Sequence, residues 1–232
     1  MESAARKEGF TDRHPSGGRS TLTGARQIVV EGPIGVGKTS LARRLGALLD
    51  ARLVLEEPEQ NPFLSRFYED RERFALATQL SFLLQRIAKS RELSQPDALA
   101  RPVVADFLLE KDAVFALLTL SADEYELYGR ISGQLSPPAT RPDLVIYLQA
   151  SPETLIARVR RRGVDMERRI DDAYLTVLAE SYMHFFHDYD AAPVMVVNSE
   201  NINFVDSDDD FQLLVRRIEA MRGHREYFNR GE

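Results

Sequence analysis

The 232-residue chain has no cysteine, so it carries neither a disulfide framework nor a thiolate metal site, and it fits a reducing compartment. It has no apolar run near the ~18 residues a membrane-crossing helix needs. It has no basic excess either: 30 Lys+Arg against 36 Asp+Glu give a net charge of -6, which argues against a chain that coats nucleic acid. No apolar segment opens the chain. Residues 1–26, with Arg6, Lys7, Asp12, Arg13 and Gly17-Gly18, do not read as a secretory signal and are expected to form a disordered leader. Glu2, Glu8 and Asp12 make that leader too acidic for a transit peptide. No internal repeat is visible. These absences lead to the expectation of a cytoplasmic protein with no membrane or nucleic-acid partner.

What is present is enough apolar content, 44%, to bury a sizeable core. Short β-branched runs alternate with longer helical patterns, the signature of βαβ units on a parallel sheet. Strands are predicted at 27–31, 52–55, 103–105, 144–148 and 194–197. Helices are predicted at 41–49, 66–93, 107–120, 124–135, 152–162, 171–189 and 211–221. The expected fold is α/β: a doubly wound, five-stranded parallel sheet of the P-loop NTPase type with helices on both faces. A single domain would span 27–228, followed by a tail at 229–232. The acidic run at 206–210 reads as a solvated loop and helix N-cap, where the dipole favours negative charge.

Gly32-Pro33-Ile34-Gly35-Val36-Gly37-Lys38-Thr39 matches G-x-x-x-x-G-K-[ST] and lies between an apolar strand and a helix, where that motif must lie. Its glycines let backbone N–H groups converge on phosphate oxygens. Lys38 reaches the outer phosphates, Thr39 offers a hydroxyl to Mg²⁺, and Ser40 continues the nucleotide-binding turn. ATP and Mg²⁺ are the expected cofactors. No D-x-x-G follows the third strand and no N-K-x-D occurs, which disfavours guanine specificity of the small-GTPase kind.

Further acids belong to the same sheet edge. Glu56-Glu57-Pro58 closes the second strand, near the carboxyl edge where α/β sheets bind ligands, and a carboxylate there can take the proton of an attacking hydroxyl. A solvent-exposed strand end is the alternative. Asp106 ends the third strand, either as a second Mg²⁺ ligand or as a helix N-cap. Between 158 and 169 lie six arginines, including Arg158, Arg160 and Arg162, around Gly163. Planar guanidinium groups suit a transferring phosphoryl group, so the segment reads as a lid, with a merely charged surface helix as the alternative.

Together these segments resemble the deoxynucleoside kinase family, in particular its bacterial deoxyadenosine/deoxyguanosine/deoxycytidine branch. The likeness covers GPIGVGKTS at 32–40, EEPEQNPFL at 56–64, FYEDRERFALATQL at 67–80, ADFLLEKDAVFA at 105–116, PDLVIYLQAS at 142–151, and the lid through YLTVLAESYMHFF at 174–186. The resemblance implies ATP-dependent phosphorylation of a deoxynucleoside 5′-hydroxyl and a homodimer. It makes Glu57 the general base, Tyr68 and Glu167 the partners of the sugar 3′-hydroxyl, Gln79 the reader of the base edge, and Phe115 a stacking ring. Helix packing is the competing role for Tyr68, Gln79 and Phe115. The sequence departs from the family in two places. Phe107 follows Asp106 where many members have arginine, leaving Lys111 as a candidate cation, and Val164 replaces an arginine after the lid glycine. A thymidylate-type nucleoside monophosphate kinase is the nearest rival, and a non-catalytic nucleotide-binding regulator the rival from another class.

Overall fold

The structure, a computed structural model, describes residues 21–95, 97–137 and 140–231. Six short strands run parallel in one sheet: β1 Gln27–Glu31, β2 Arg52–Val54, β3 Val103–Ala105, β4 Leu144–Gln149, β5 Val194–Asn198 and β6 Arg225–Phe228, in the order β2-β3-β1-β4-β5-β6. Around them lie α1 Thr21–Gly24, α2 Lys38–Leu49, α3 Leu64–Glu69, α4 Arg71–Leu93, α5 Asp112–Thr119, α6 Ala122–Leu135, α7 Pro152–Arg162, α8 Asp172–Asp188 and α9 Asp208–Glu219.

Successive side chains of a strand face opposite sides, so β1 feeds two cores. Ile28 and Val30 pack with Leu41 and Leu45 of α2 and with Leu214 and Ile218 of α9. Val29 packs with Ala75 of α4 and with Leu178 and Phe186 of α8. Burial on both faces explains why the strands read as continuous apolar runs. Central β1 pairs with β3 on one side and β4 on the other, Ile28 lying opposite Val104 and Leu144. The carboxyl ends of β1, β2 and β3 therefore bring Glu31, Glu56 and Asp106 to one edge, beside the turn that leaves β1. No described helix is long and apolar enough to cross a membrane.

The sequence reading needs four corrections. The sheet has six strands, because β6 pairs with β5 from Val194–Arg225 to Val197–Phe228. An edge strand buries little, and REYF hides Phe228 while leaving Tyr227 exposed, so no apolar run announced it. The predicted 66–93 helix is two helices, broken at Asp70, whose carboxylate caps α4 by accepting from Arg73 N at 3.2 Å. Residues 107–108 are not helical; Leu108 N instead donates to Glu31 Oε2 at 2.9 Å. The end of the expected leader is built into the fold: Leu22 and Ala25 join the α2/α9 core and Thr21 Oγ1 donates to Met221 O. The rest of that leader, 1–20, lies outside the described residues. In the tail, Arg230 pairs with Asp210 of α9.

Candidate active site

The turn after β1 takes the phosphate-loop form through left-handed backbone at Gly35 (φ 86°) and Gly37 (φ 106°), which a side chain rarely adopts. At Gly35 space also decides: a Cβ would lie 2.8 Å from Val159 Cγ2 and 3.1 Å from Leu155 O, so α7 can lean on the loop only because residue 35 has none. Lys38 opens α2 and folds its ammonium back over the loop, donating to Gly32 O at 2.8 Å and Pro33 O at 3.3 Å. Thr39 Oγ1 donates to Asp106 Oδ2, and Asp106 Oδ1 accepts from Glu56 N at 2.6 Å. Burial pushes the Asp106 carboxyl up, against the Thr39 and Glu56 hydrogen bonds and Lys38.

Two spaces meet at this loop. A cavity of about 130 Å³ is lined by Ile34, Gly35, Lys38, Thr39, Glu56, Tyr68, Gln79, Arg86, Asp106, Phe115, Arg162 and Glu167, among others. An open basin of about 680 Å³ is lined by Gly35, Val36, Gly37, Ser40, Arg158, Arg161, Arg162, residues 200–206, Asp210 and Arg230. Gly35 and Arg162 border both.

Of the two carboxylates that follow β2, Glu56 lines the cavity and Glu57 does not. Consecutive residues leaving a strand point to opposite sides, so only one can face inward. Glu57 turns out to Lys89 Nζ at 2.6 Å and stays 43% exposed. Glu56 accepts from Arg86 Nε at 2.6 Å. Burial pushes its carboxyl up, but Arg86, Lys111 and Lys38 outweigh burial and hold it down at about 2. Arg86 also pairs with buried Asp112, which in turn accepts from Tyr128 OH of α6. Lys111 lies behind the wall instead of on it. It is buried 3.7 Å from Glu31 Oε2 with its ammonium 4.7 Å from the Phe115 ring centre. Burial brings it down to about 8, against the pull of Glu31.

At the far end, Tyr68 and Glu167 share the wall, Glu167 accepting from Arg162 Nε at 3.0 Å. Burial, with Tyr174 and Glu167 nearby, pushes the Tyr68 hydroxyl up, so it stays protonated and able to donate. Gln79 is 2% exposed and donates from Nε2 to Thr119 Oγ1 at 3.2 Å, while its Oε1 has no partner among the described residues. Phe115 braces edge-on against Tyr182, with ring centres 6.0 Å apart.

The arginine segment ends α7 at Gly163 (φ 67°) and continues as a 3₁₀ turn over Asp165–Arg169. Arg158 and Arg162, one turn apart, share a helix face toward the loop. Arg158 reaches Ser199 Oγ at 2.9 Å and Ser199 O at 2.6 Å. Arg160 lies nearly opposite on the helix, pairs with Asp172 and, against the expectation that it binds the cofactor, borders neither space. The sequence reading overlooked Arg86, Arg230 and the residues 200–206, and it counted Arg161 among the six lid arginines without singling it out. For Arg86 there was a signal: a guanidinium two turns after Gln79, on the stripe that buries Leu83 and Ile87.

Comparison with known proteins gives a consistent result. The model of the family described as Deoxynucleoside kinase matches residues 28–221. Deoxyguanosine kinase of Bacillus subtilis (strain 168) is 30% identical over 199 residues, covering 84% of this chain and 96% of the relative. Deoxyadenosine kinase of Dictyostelium discoideum is 32% identical over 201 residues, covering 84% and 80%. Among solved structures, deoxyadenosine kinase from M. mycoides with products dCMP and a flexible dCDP bound superposes with a TM-score of 0.73 at 23% identity, covering 84% of this chain and all of that one, a likeness of fold.

Proposed function

This chain belongs to the deoxynucleoside kinase family and is an enzyme that phosphorylates deoxynucleosides with ATP as donor, and from that premise we propose that its cavity holds the deoxynucleoside, its basin holds ATP, and Glu56 faces the 5′-hydroxyl. The observation that carries this assignment is how the cavity's charges are already paired. Arg86 is bound to Glu56 and Asp112, and Arg162 to Glu167. A phosphorylated acceptor brings about two negative charges and needs a guanidinium of its own. A neutral hydroxyl beside Glu56 asks for none.

In this reading Glu56, ionised at any working pH, accepts the hydrogen bond of the 5′-hydroxyl and takes its proton as that oxygen attacks the γ-phosphorus. Phosphoryl transfer asks mainly for positioning and charge stabilisation, so an always-ionised acceptor suffices. Lys38 exchanges the Gly32 and Pro33 carbonyls for phosphate oxygens, and Arg158 and Arg162 approach from the lid side. Tyr68 and Glu167 take the 3′-hydroxyl, Gln79 the base edge, and Phe115 the base face.

Thr39 and Asp106 fit Mg²⁺. They present a hydroxyl and a carboxylate, hard oxygens side by side on the cavity, and Mg²⁺ uses one or two such protein ligands with phosphates and water completing its shell. When bound, the ion would neutralise charge on the donor's outer phosphates.

Exposed Leu84, Leu117 and Leu127, on the mutually packed helices α4, α5 and α6, support a homodimer through these helices. The cysteine-free composition supports a cytoplasmic setting.

The test is to incubate the protein with Mg·ATP and either deoxynucleosides or their monophosphates, following ADP release. ADP with deoxynucleosides supports the proposal; ADP only with monophosphates overturns it.

A further inference from the structure

Thr119, the last residue of α5, lies outside the cavity lining but holds a residue that belongs to it. Its Oγ1 donates to Phe115 O, one helical turn back, at 2.7 Å. A hydroxyl has one proton, so with that proton spent Oγ1 can only accept. It accepts from Gln79 at 3.2 Å, which requires the amide nitrogen, not the oxygen, to face Thr119. The orientation of the Gln79 amide thus follows from where the protons are. Oε1 is left buried without a partner among the described residues, as is Thr78 Oγ1 beside it on the same wall. Unpaired buried polar atoms that line a cavity are atoms for a ligand to satisfy.

An amide reads a base edge as an ordered pair, one acceptor beside one donor. Adenine and cytosine present a ring-nitrogen acceptor beside an exocyclic amino donor. Guanine and thymine present the reverse, a ring N–H donor beside an exocyclic oxygen. A half-turn of an unanchored amide would swap its own order and accept either class.

We propose that Thr119 is a specificity-determining positioning residue: by fixing the Gln79 amide in one orientation, it makes the cavity discriminate amino bases from oxo bases. Turning the amide over would put Oε1 against an oxygen whose one proton is held by Phe115 O, so only one of those two acceptors could keep a hydrogen bond. Leaving a buried hydrogen bond unmade in that way weights the two orientations by roughly tenfold or more. The inference rests on Gln79 reading the base, and the experiment separates the two.

Deoxyadenosine and deoxyguanosine have the same ring size, so the ratio of their kcat/KM values compares the two edges in one ring system, and the change of that ratio on substitution at 119 reads the amide's part in it. The wild-type protein should favour one of them by roughly tenfold or more. Thr119→Val, which keeps the shape and loses the hydroxyl, should move the ratio to within a factor of ~3 of unity, chiefly through KM, and Thr119→Ser should keep it. Thr119→Ala serves as the second anchor-free variant should the valine protein fold poorly. An unchanged ratio in both anchor-free variants would sink the role of Thr119, as would a wild-type protein indifferent to the two purines. If Gln79→Leu retains the wild-type ratio, the reading role of Gln79 fails as well. If the wild-type protein phosphorylates no deoxynucleoside, the functional assignment itself falls.

Discussion

Glu56 and Arg86 are locked together at 2.6 Å inside the cavity, on elements 30 residues apart in the chain. The pair explains how a carboxylate survives burial in an ionised state: the guanidinium, backed by Lys111 and Lys38, outweighs the loss of water. It also separates two neighbours that look equivalent in sequence.

Replacing Glu56 by Gln should therefore lower kcat by ~10²-fold or more, the usual consequence of removing a general base. Glu57→Gln breaks a half-exposed ion pair with Lys89 and should leave kcat within ~3-fold. Steady-state rates with a saturating deoxynucleoside and Mg·ATP decide between them. The opposite ranking would return the role to Glu57.

The same pair has a signature in stability. Glu56 is held at about 2 against a usual value of 4.5, so the unfolded chain binds its proton more readily. Its contribution is fully present above pH 4.5 and is lost as pH falls toward 2. From pH 6 to pH 3 the stability advantage of wild type over Glu56→Gln should shrink by about 2 kcal/mol, read from urea denaturation at each pH. An advantage that does not change over that range would show that Glu56 is not held ionised by its partners.

Much of this architecture was legible in the sequence, for reasons that also mark the limits. Strands β1 and β4 are buried on both faces, so their apolar runs are unbroken. The phosphate loop is legible because left-handed turns and close approach demand glycine at fixed spacing. Strand β6 was hidden because an edge strand buries one residue in four. Spacing places Glu56 and Glu57 both at the strand end and says nothing of which side each faces, so the choice of Glu57 rested on the family resemblance alone. The Arg86–Asp112 pair joins α4 to α5, and only tertiary contact brings those side chains together.

The exposed leucines of α4, α5 and α6 give an oligomer test. Leu84, Leu117 and Leu127 are exposed in the single chain, an arrangement that favours association. Size-exclusion chromatography with light scattering should give twice the 26.3 kDa chain mass for wild type, and one chain mass for Leu84→Glu combined with Leu127→Glu. A wild-type protein that runs as a monomer at micromolar concentration would refute this interface.

The lid makes the last prediction, and helix geometry sets it up. Arg162 borders both spaces and is held to Glu167 in the cavity, whereas Arg160 projects to Asp172 and borders neither. If lid guanidinium groups stabilise the transferring phosphoryl group, Arg162→Met should lower kcat by ~10²-fold or more, as expected when a donor to transition-state charge is lost. Arg160→Met should leave kcat within ~3-fold, since an exposed ion pair is worth little. Arg162→Met should also raise KM for the deoxynucleoside, because Glu167 loses the partner that holds it on the cavity wall. A variant of Arg162 with normal kcat and raised KM alone would confine this residue to holding the sugar, and would leave Arg158 and Arg161 as the cations of the transfer.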